Sequence, residues 1–551
     1  RKCTSGATVY KEENGMKKRI WALALTAVFL LTACGGGEST TGDFSVTAGE
    51  DAQTAAASGL TLSMRVPETL NPLRNRDESV DRILKLMFLP FIGQGENGKP
   101  EGGVAENWTL SADGMSLTVN LKQNIKWTDG TSLTADDVVF SYDTIAGSEE
   151  DAVYKNVTNY VASCTKTGTY SVTVNFREAF SNNISALYFP IIPAAHYRGQ
   201  TEMDSLANMN PVGNGPYRME SYTMASSMVL VPNESYSGTV PNISNITVKI
   251  TGSADTDDYS FSQGILDTMV TDSTSAGRYL AADDKMKGTA FDAGVYDFIG
   301  FNFGRDLFQD KNLRQSVAYV VPKDYIYESV YLKYAEMSNT PVSPASWLYE
   351  ENVAPYNYDA SMASTLLKNA GWADTNNDGV LEKEKENGTK EELRITMLVN
   401  KENTARNQIA SRMEEELEAI GFEVTIDAQP YDVYSEKFAS GDFDLVVGGW
   451  KMSEVLNLAP FFVTDGDYNY IGYSNEEVDQ LLQTANSAIG EGQTLLAYSN
   501  LQKKLAEELP YVSIAYRQDV LLTSSYVGGE IHPTRINVFD GIEYWTLQQK
   551  G

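Results

Sequence analysis

The sequence predicts an α/β protein in which helices cover buried sheets. FDLVVGGW (443–450) is short and almost wholly apolar, as expected of a strand with helices on both faces. NQIASRMEEELEAI (407–420) before it and SNEEVDQLLQTANSAI (474–489) after it have the apolar spacing of amphipathic helices. Strand-like and helix-like segments alternate in this way along the chain, without a repeat of fixed period, which is the pattern of an α/β fold.

The first half of the chain supplies four clear elements. LTLSMRV (60–66) alternates as a strand does, and SVDRILKLMFLPFIG (79–93) has helical spacing that we expect to stop at Pro90. MSLTVNLKQNIKW (115–127) alternates between apolar and polar residues and predicts a strand or hairpin. The sequence TADD, 134–137, has the threonine and the carboxylate of a capping box, so a helix begins there.

The second half has sharper start and stop signals. Ser474 and Glu477 form a predicted capping box for the helix over 474–489. TLLAYSNLQKKLAEELP (494–510) predicts a helix that ends at Pro510, and a strand follows it.

The segment upstream of residue 59 has the composition of a targeting sequence. MKKRIWALALTAVFL (16–30) combines basic residues with an apolar run too short to span a membrane, as in a secretory signal. Leu31 to Cys34 resembles the lipobox of bacterial lipoproteins, which implies acylation of Cys34 and cleavage just before it. Residues 1–15 are expected to be a non-native upstream extension, 16–33 the signal peptide, and 34–58 a flexible linker rich in Gly, Ser, Thr and Ala.

Composition restricts the possible partners. The 551 residues carry a formal charge of −31, so the surface repels nucleic acid, and we expect no nucleic-acid partner. Only two histidines and three cysteines are present, which argues against a histidine-rich metal site and against an internal disulfide framework. We therefore expect no metal and no cofactor.

The sequence contains no catalytic signature. The G-x-S-x-G elbow, the H-E-x-x-H motif, the phosphate-binding P-loop and the C-x-x-C pair are all missing. With 74 acidic residues in the chain, carboxylate pairs are inevitable and carry little weight. The prediction is that the protein is not an enzyme.

A series of collinear motifs resembles one family of transport proteins. GGVAENWTLSADGMSLTVNLKQNIKWTDGTSLTADDVVFSY (102–142) is similar to the N-terminal signature of the oligopeptide/dipeptide/nickel class (family 5) of bacterial extracellular solute-binding proteins. Further matches follow in order over roughly residues 60–549, among them NPVGNGPYRMESY (210–222), FNFGRDLFQDKNLRQSVAYVVPKDYI (301–326), GDFDLVVGGW (441–450) and LQKKLAEELPYVSIAYRQDVLL (501–522).

The resemblance implies a two-lobed periplasmic-binding-protein-like fold (type II, cluster C) with an extra subdomain and a hinge-bending cleft. The solute-binding domain then covers 59–551. Its expected parts are lobe I at about 59–78, 211–300 and 520–551, the subdomain at about 79–210, and lobe II at about 301–519.

The family pattern also assigns a ligand cleft. In peptide-binding relatives the ligand pairs as an added strand with backbone edges of both lobes. The positions of this sequence that match the cleft are Asp77, Glu78, Tyr154, Gly448, Gly449 and Trp450. Ordinary packing explains the glycines, the tyrosine and the tryptophan equally well, so ligand contact and packing both stay open as interpretations.

The sequence departs from the pattern three residues after Trp450. Peptide-binding relatives place an aspartate there, which pairs with the ligand's α-ammonium group. Ser453 occupies this position and Glu454 follows it. Either Glu454 takes over the amine, or it is a solvated loop charge and the ligand carries no such amine. Val446 and Val447 stand where one relative has an arginine for the peptide carboxylate.

DTNNDGVLEKEK (374–385) begins like a calcium-binding loop. Its twelfth residue is Lys385, where a bidentate glutamate belongs, and Asp/Asn/Gly clusters also form turns without metal. A turn is the preferred interpretation.

The resemblance predicts a monomeric lipoprotein that captures oligopeptides by hinge closure and delivers them to ABC permease subunits. It would be extracytoplasmic and held on the membrane by its lipid anchor. The alternatives are the same transport role for a nickel chelate, an opine or an oligosaccharide, a lipid-anchored secreted hydrolase, and a receptor that signals to a sensor.

Overall fold

The computed structural model describes residues 59–200, 202–282, 285–385 and 387–548. Residues 1–58, with the predicted signal peptide, Cys34 and the linker, lie outside the described residues. In the described part, no helix is long and apolar enough to cross a membrane.

The strands are short except for two, β12 and β19. In chain order they are β1 Leu60–Met64, β2 Gly93–Gln94, β3 Pro100–Glu101, β4 Ala105–Leu110, β5 Ser116–Leu121, β6 Val161–Gly168, β7 Ser171–Phe176, β8 Tyr217–Thr223, β9 Ser227–Pro232, β10 Ile246–Ile250, β11 Thr268–Asp272, β12 Met286–Phe301, β13 Ala335–Met337, β14 Glu382–Glu384, β15 Lys390–Glu392, β16 Arg394–Asn400, β17 Glu423–Gln429, β18 Leu445–Lys451, β19 Tyr511–Ser524, β20 Val527–Gly528 and β21 Thr546–Leu547.

The helices alternate with these strands, as the sequence pattern predicts. They are α1 Glu78–Leu84, α2 Ala135–Ala146, α3 Ala194–Tyr197, α4 Leu206–Met209, α5 Ala254–Ser262, α6 Ser273–Ala282, α7 Lys311–Tyr319, α8 Lys323–Tyr325, α9 Ala360–Asn369, α10 Thr404–Glu418, α11 Tyr431–Ser440, α12 Ala459–Phe462, α13 Glu476–Ser487 and α14 Glu491–Glu508.

Three larger sheets organise the chain. One has the order β1-β10-β9-β8, and a second has the order β4-β5-β7-β6. The third is seven-stranded, with the order β11-β19-β12-β18-β16-β17 and with β13 also paired to β19. The seven-stranded sheet of this α/β fold is mixed, because some of its strand pairs are antiparallel and others are parallel.

Two large hydrophobic cores divide the described part of the molecule into two lobes, and a small third cluster surrounds Phe261 and Leu266. The first lobe is built on a core that includes Leu60, Trp127 and Trp545. The second lobe is built on a core that includes Phe298 and Tyr498. The predicted two-lobed fold is confirmed.

The long strands β12 and β19 run from one core into the other. On β12, Phe291 belongs to the first core and Tyr296 to the second; on β19, Tyr516 belongs to the second core and Leu521 to the first. The β12–β19 register shifts between Asp292 and Val295, where the strand has a bulge. The predicted lobe boundaries near residues 300 and 519 stay a prediction.

Two of the predicted helix ends are wrong. The helix expected to reach Pro90 ends at Leu84, because residues after Lys85 leave the helical path well before the proline. The expected capping box of Ser474 and Glu477 is not formed. Asn475 is the N-cap instead, and its side chain accepts hydrogen bonds from the backbone N–H groups of Glu477 and Val478.

Candidate functional site

A cavity of about 610 Å³ lies where the two lobes meet. Both lobes and the crossing strands β12 and β19 contribute to its wall. Cavities of this size between lobes commonly hold small ligands. The lining includes Asn97, Asn182, Asp292, Glu336, Trp347, Glu454 and Arg535.

Direct hydrogen bonds join the lobes around this cavity. The Trp347 backbone N–H donates to the Asn97 carbonyl oxygen at 2.6 Å. The Asn182 side-chain amide donates to the Leu456 carbonyl oxygen at 3.0 Å and to the Tyr498 hydroxyl at 2.9 Å. The cavity is therefore framed by contacts between the lobes.

The lining is rich in carboxylates. Five of them face the cavity, and Arg535 and His532 are the lining side chains in the described structure that can carry positive charge. The carboxylates are Glu101, Asp292, Glu336, Glu454 and Asp540. The wall of the cavity is thus acidic, like the chain as a whole.

Glu454 is already paired within the protein. Its Oε1 lies 2.7 Å from Nε of Arg535, which approaches from the other lobe. Burial alone would lower the pKa of Arg535, but the Glu454 and Asp292 carboxylates raise it. A ligand amine at Glu454 would have to share the carboxylate with this guanidinium.

Ser453 also lines the cavity, so the structure brings two of the sequence-predicted site residues to it. The Ser453 hydroxyl accepts a hydrogen bond from the Val455 backbone N–H at 3.2 Å. Contact of either residue with a ligand stays a prediction.

Gly448 and Gly449 leave space for the side chains of neighbouring residues, which a Cβ at either position would displace. A Cβ at Gly448 would lie 2.9 Å from the Phe298 ring. A Cβ at Gly449 would collide with the Arg406 guanidinium and would lie 2.5 Å from Oδ1 of Asp297. Packing alone requires both glycines, and their predicted contact with ligand backbone remains untested.

The C-terminal part of the same strand pairs with a neighbouring strand on one side only. β18 pairs with β12 along its whole length but with β16 only through residues 445–447. Residues 448–451 therefore have a strand partner on one side only within the described structure. An extended segment could pair with the other side.

Trp450 lies in an aromatic cluster of the second lobe and is 7% exposed. Its ring centroid lies 5.0 Å from that of Phe461 and 5.5 Å from that of Phe438. The indole N–H donates to the Tyr511 hydroxyl at 3.4 Å. Trp450 is not among the cavity-lining residues.

Asp77 is the N-cap of α1 and Glu78 is its first residue, and neither is among the residues that line the cavity. The Asp77 carboxylate caps the helix by accepting hydrogen bonds from the N–H groups of Ser79 and Val80. Glu78 forms an ion pair with Arg82 at 2.9 Å. Their predicted role opposite Gly448–Trp450 stays a prediction.

Tyr154 is buried, and its hydroxyl donates to Oδ1 of Asp81 at 2.9 Å. Burial and the negative charge of Asp81 raise the pKa of Tyr154 well above its ordinary value. The structure gives this side chain a hydrogen-bonded position outside the cavity lining.

The segment 374–385 forms a turn whose carboxylates are used internally. Asp374 accepts hydrogen bonds from the N–H groups of Asn377 at 2.7 Å and Gly379 at 3.0 Å. Asp378 pairs with Arg394 at 3.3 Å. Among the described residues, no group of three or more His, Cys, Asp or Glu side chains could hold a metal ion.

Sequence reasoning missed most of the cavity lining, and among the missed residues are the charged side chains of Asp292, Glu336 and Arg535. They lie far apart in the chain and outside the quoted motifs. The bulge in β12, β13 and the C-terminal segment bring them together. No local signal in the sequence indicates this meeting.

Comparisons with known proteins agree with the two-lobed fold. A family model described as "Bacterial extracellular solute-binding proteins, family 5 Middle" matches residues 99–470. The oligopeptide-binding protein AppA of Bacillus subtilis (strain 168) is 27% identical over 556 residues, which cover 97% of this chain and 100% of that protein.

Solved structures share the fold. AppA from Bacillus subtilis in complex with a nonapeptide matches with a TM-score of 0.57 and 25% identity, covering 89% of this chain and 99% of that one. The periplasmic murein tripeptide-binding protein MppA, in its unliganded open form, matches with a TM-score of 0.75 and 18% identity, covering 89% and 97% of the two chains.

Proposed function

The chain belongs to the bacterial extracellular solute-binding proteins of family 5, and on that premise we propose that it captures oligopeptides between its lobes for an ABC importer. The family consists of extracytoplasmic transport proteins that bind solutes. Beyond family membership, we propose an oligopeptide ligand, a lipid anchor and delivery of the ligand to a permease.

The cavity between the lobes is the observation that carries this proposal. It lies where, among the described residues, the chain passes between the two cores only along β12 and β19, so bending at these strands can open and close it. Contacts such as the one between Asn182 and Tyr498 would break on opening and form on closing. Closure of this kind excludes water from a bound solute.

The unpaired side of residues 448–451 favours a peptide over other solutes. An extended peptide can pair with a free strand edge through its own backbone, whatever its side chains are. The residues that follow directly, Met452 to Glu454, line the cavity. A ligand on this edge would therefore continue into the cavity.

A non-peptide solute is the second candidate, and Ser453 is the observation that favours it. Peptide-binding relatives have an aspartate at this position for the ligand amine, and Glu454 beside it is held by Arg535. A nickel chelate, an opine or an oligosaccharide would not need that aspartate.

Native mass spectrometry of the gently purified protein separates these candidates. A ladder of added masses that fragments into amino-acid spacings would support peptide cargo. A single non-peptide mass, or no mass together with no thermal shift across a peptide library, would overturn it. Conversion of the bound solute into product would instead favour the hydrolase alternative.

The anchor and the delivery step complete the proposal. Acylation of Cys34 would hold the protein on the membrane beside its permease, where it acts as a monomer. A Cys34→Ser variant should leave the membrane fraction and lose incorporation of a labelled fatty acid. Retention of the variant on the membrane would contradict the anchor, and uptake that survives deletion of the gene would favour sensing over transport.

A further inference from the structure

Two cavity carboxylates lie on the same face of three neighbouring strands. Asp292 on β12 is in register with Gln518 on β19, and Glu336 on β13 is in register with Tyr516 on β19. Tyr516 and Gln518 are two residues apart and so point to the same face. All four side chains line the cavity.

Glu336 is only partly satisfied inside the protein. Its Oε1 accepts a hydrogen bond from the Gln518 amide at 3.3 Å, while its Oε2 is buried and has no hydrogen-bond partner in the described structure. A buried carboxylate oxygen without a donor is costly. Burial and the neighbouring Asp292 raise the pKa of Glu336, because both disfavour a second negative charge.

Asp292 accepts hydrogen bonds from neutral donors and forms no ion pair within the described structure, although its charge acts on the nearby Arg535. Its Oδ2 accepts from the Ser343 hydroxyl at 2.6 Å, and its Oδ1 accepts from the Gly294 N–H at 2.6 Å. Each carboxylate oxygen can accept a further hydrogen bond.

The positive charge present in the cavity does not balance these groups. Arg535 is committed to Glu454 at 2.7 Å and to the Met452 carbonyl oxygen at 3.0 Å. The remaining lining carboxylates, Glu101 and Asp540, add negative charge, and the pKa of Asp540 is raised by burial and by the carboxylates around it.

We propose that Asp292 and Glu336 bind a cationic nitrogen of the solute, so that the cavity selects ligands carrying an ammonium or guanidinium group. This inference rests on the proposed function, because it assumes that the cavity holds the transported solute. The cationic nitrogen supplies the donor that Glu336 Oε2 lacks and the direct ion-pair partner that neither carboxylate has in the described structure. The group can come from a lysine or arginine side chain or from a free N-terminus.

Calorimetric titration of matched peptides tests the proposal on the whole protein. The probes are pentapeptides of alanine with one lysine, placed at each position in turn, and the same peptides with Nε-acetyl-lysine. A lysine peptide that binds about tenfold or more tightly than its acetylated partner, at one position or more, would identify the side chain as the bound cation. A third set with acetylated N-termini shows whether the α-ammonium group is the source.

The decisive variant is Glu336→Gln, with Glu418→Gln as its control. Both remove one carboxylate, but Glu418 is exposed on α10 and does not line the cavity. Glu336→Gln should bring the ratio between charged and neutral peptides close to one, while Glu418→Gln should keep the wild-type ratio. Equal binding of all three peptide sets by the wild type would overturn the inference and leave the proposed function standing. The same holds if Glu336→Gln leaves unchanged the binding ratio between peptides with and without the cationic group.

Titration with a polyamine tests the cation site separately from peptide transport. If no peptide binds, peptide transport fails, and titration with spermidine then decides the inference on its own. Binding of spermidine that is lost in Glu336→Gln would support a cation site, and no binding of spermidine would overturn it.

Discussion

Arg535 and Glu454 form an ion pair across the cavity, with Nε of Arg535 2.7 Å from Oε1 of Glu454. The arginine comes from the C-terminal part of the first lobe, and the glutamate comes from the loop after β18 in the second lobe. Arg535 also packs against Gly294, where a Cβ would collide with the guanidinium. Gly294 has a φ of +69° and lies in the β12 bulge, so the ion pair sits directly on the connection between the lobes.

A double-mutant cycle measures how much this ion pair contributes. Glu454→Gln, Arg535→Gln and the double variant should show a coupling energy of about 0.5–1 kcal/mol in the free energy of unfolding, because a partly exposed pair is weakened by solvent. Urea unfolding followed by circular dichroism provides the values. Additive effects of the two substitutions would mean that the pair does not stabilise the junction of the lobes.

Gly449 should tolerate no side chain. In Gly449→Ala the Cβ would meet the Arg406 guanidinium, Oδ1 of Asp297 at 2.5 Å and the Tyr296 carbonyl oxygen at 2.7 Å. Asp297 is fully buried and is held by Arg406 and Arg517, so displacing Arg406 would weaken a buried ion cluster. We expect the free energy of unfolding to fall by about 2 kcal/mol or more.

Gly492→Ala is the matched control for this substitution. Gly492 lies in the first turn of α14, is exposed, and has open space around the position of a Cβ. Alanine there should raise stability by up to about 1 kcal/mol, because it restricts the unfolded chain. If Gly449→Ala were as stable as Gly492→Ala, Arg406 would have to move aside without cost.

Much of the fold could be predicted from local signals. The strand at Leu445–Lys451 follows from its apolar run, and Gly421, with a φ of +98°, ends the helix before β17 as a glycine C-cap does. Capping by Asn475 in place of Ser474 could not be predicted, because two adjacent residues can both cap and tertiary contacts decide between them. Ser474 instead forms a hydrogen bond with Thr464 at 3.0 Å.

The site was harder to predict than the fold. Ser453 and Glu454 lie beside a recognisable motif and do line the cavity. Asp292, Glu336 and Arg535 belong to three distant segments, and only the register of β12, β13 and β19 and the course of the C-terminal segment bring them together. Pairing between distant strands is set by tertiary structure, and a single sequence carries no local trace of it.

Asp519 should make the protein more stable in mild acid than at neutral pH. Burial, together with Asp272 and Glu78, raises its pKa to about 6, although Arg82 and Lys451 act in the opposite direction. The folded state therefore binds this proton more tightly than the unfolded state, whose aspartate has a pKa near 3.9. The contribution of Asp519 to stability rises as the pH falls from about 7 to about 4.

Asp519→Asn tests this assignment. The variant should be more stable than the wild type at pH 7.5 by on the order of 3 kcal/mol, and the difference should shrink towards pH 4 and vanish near pH 3, where the wild-type carboxyl is protonated in both states. Melting temperatures of both proteins across this range give the answer. A variant that is less stable at pH 7.5 would show that the pairing of Asp519 with Arg82 and Lys451 outweighs its burial.

Cys164 should react very slowly in the folded protein. Its side chain is 6% exposed on β6, and burial, together with the negative charge of Asp143, raises its pKa to about 12. At pH 8 only about one thiol in ten thousand would then be the reactive thiolate, against about one in four for an ordinary cysteine.

Labelling with iodoacetamide, located at Cys164 by peptide mapping, should be complete in 8 M urea and almost undetectable over the same time in buffer. Since α2 packs against β6 and its Asp143 acts on the thiol, any slow labelling in buffer reports a local opening between α2 and the sheet. Rapid labelling of the native protein would contradict both the burial of the thiol and its raised pKa.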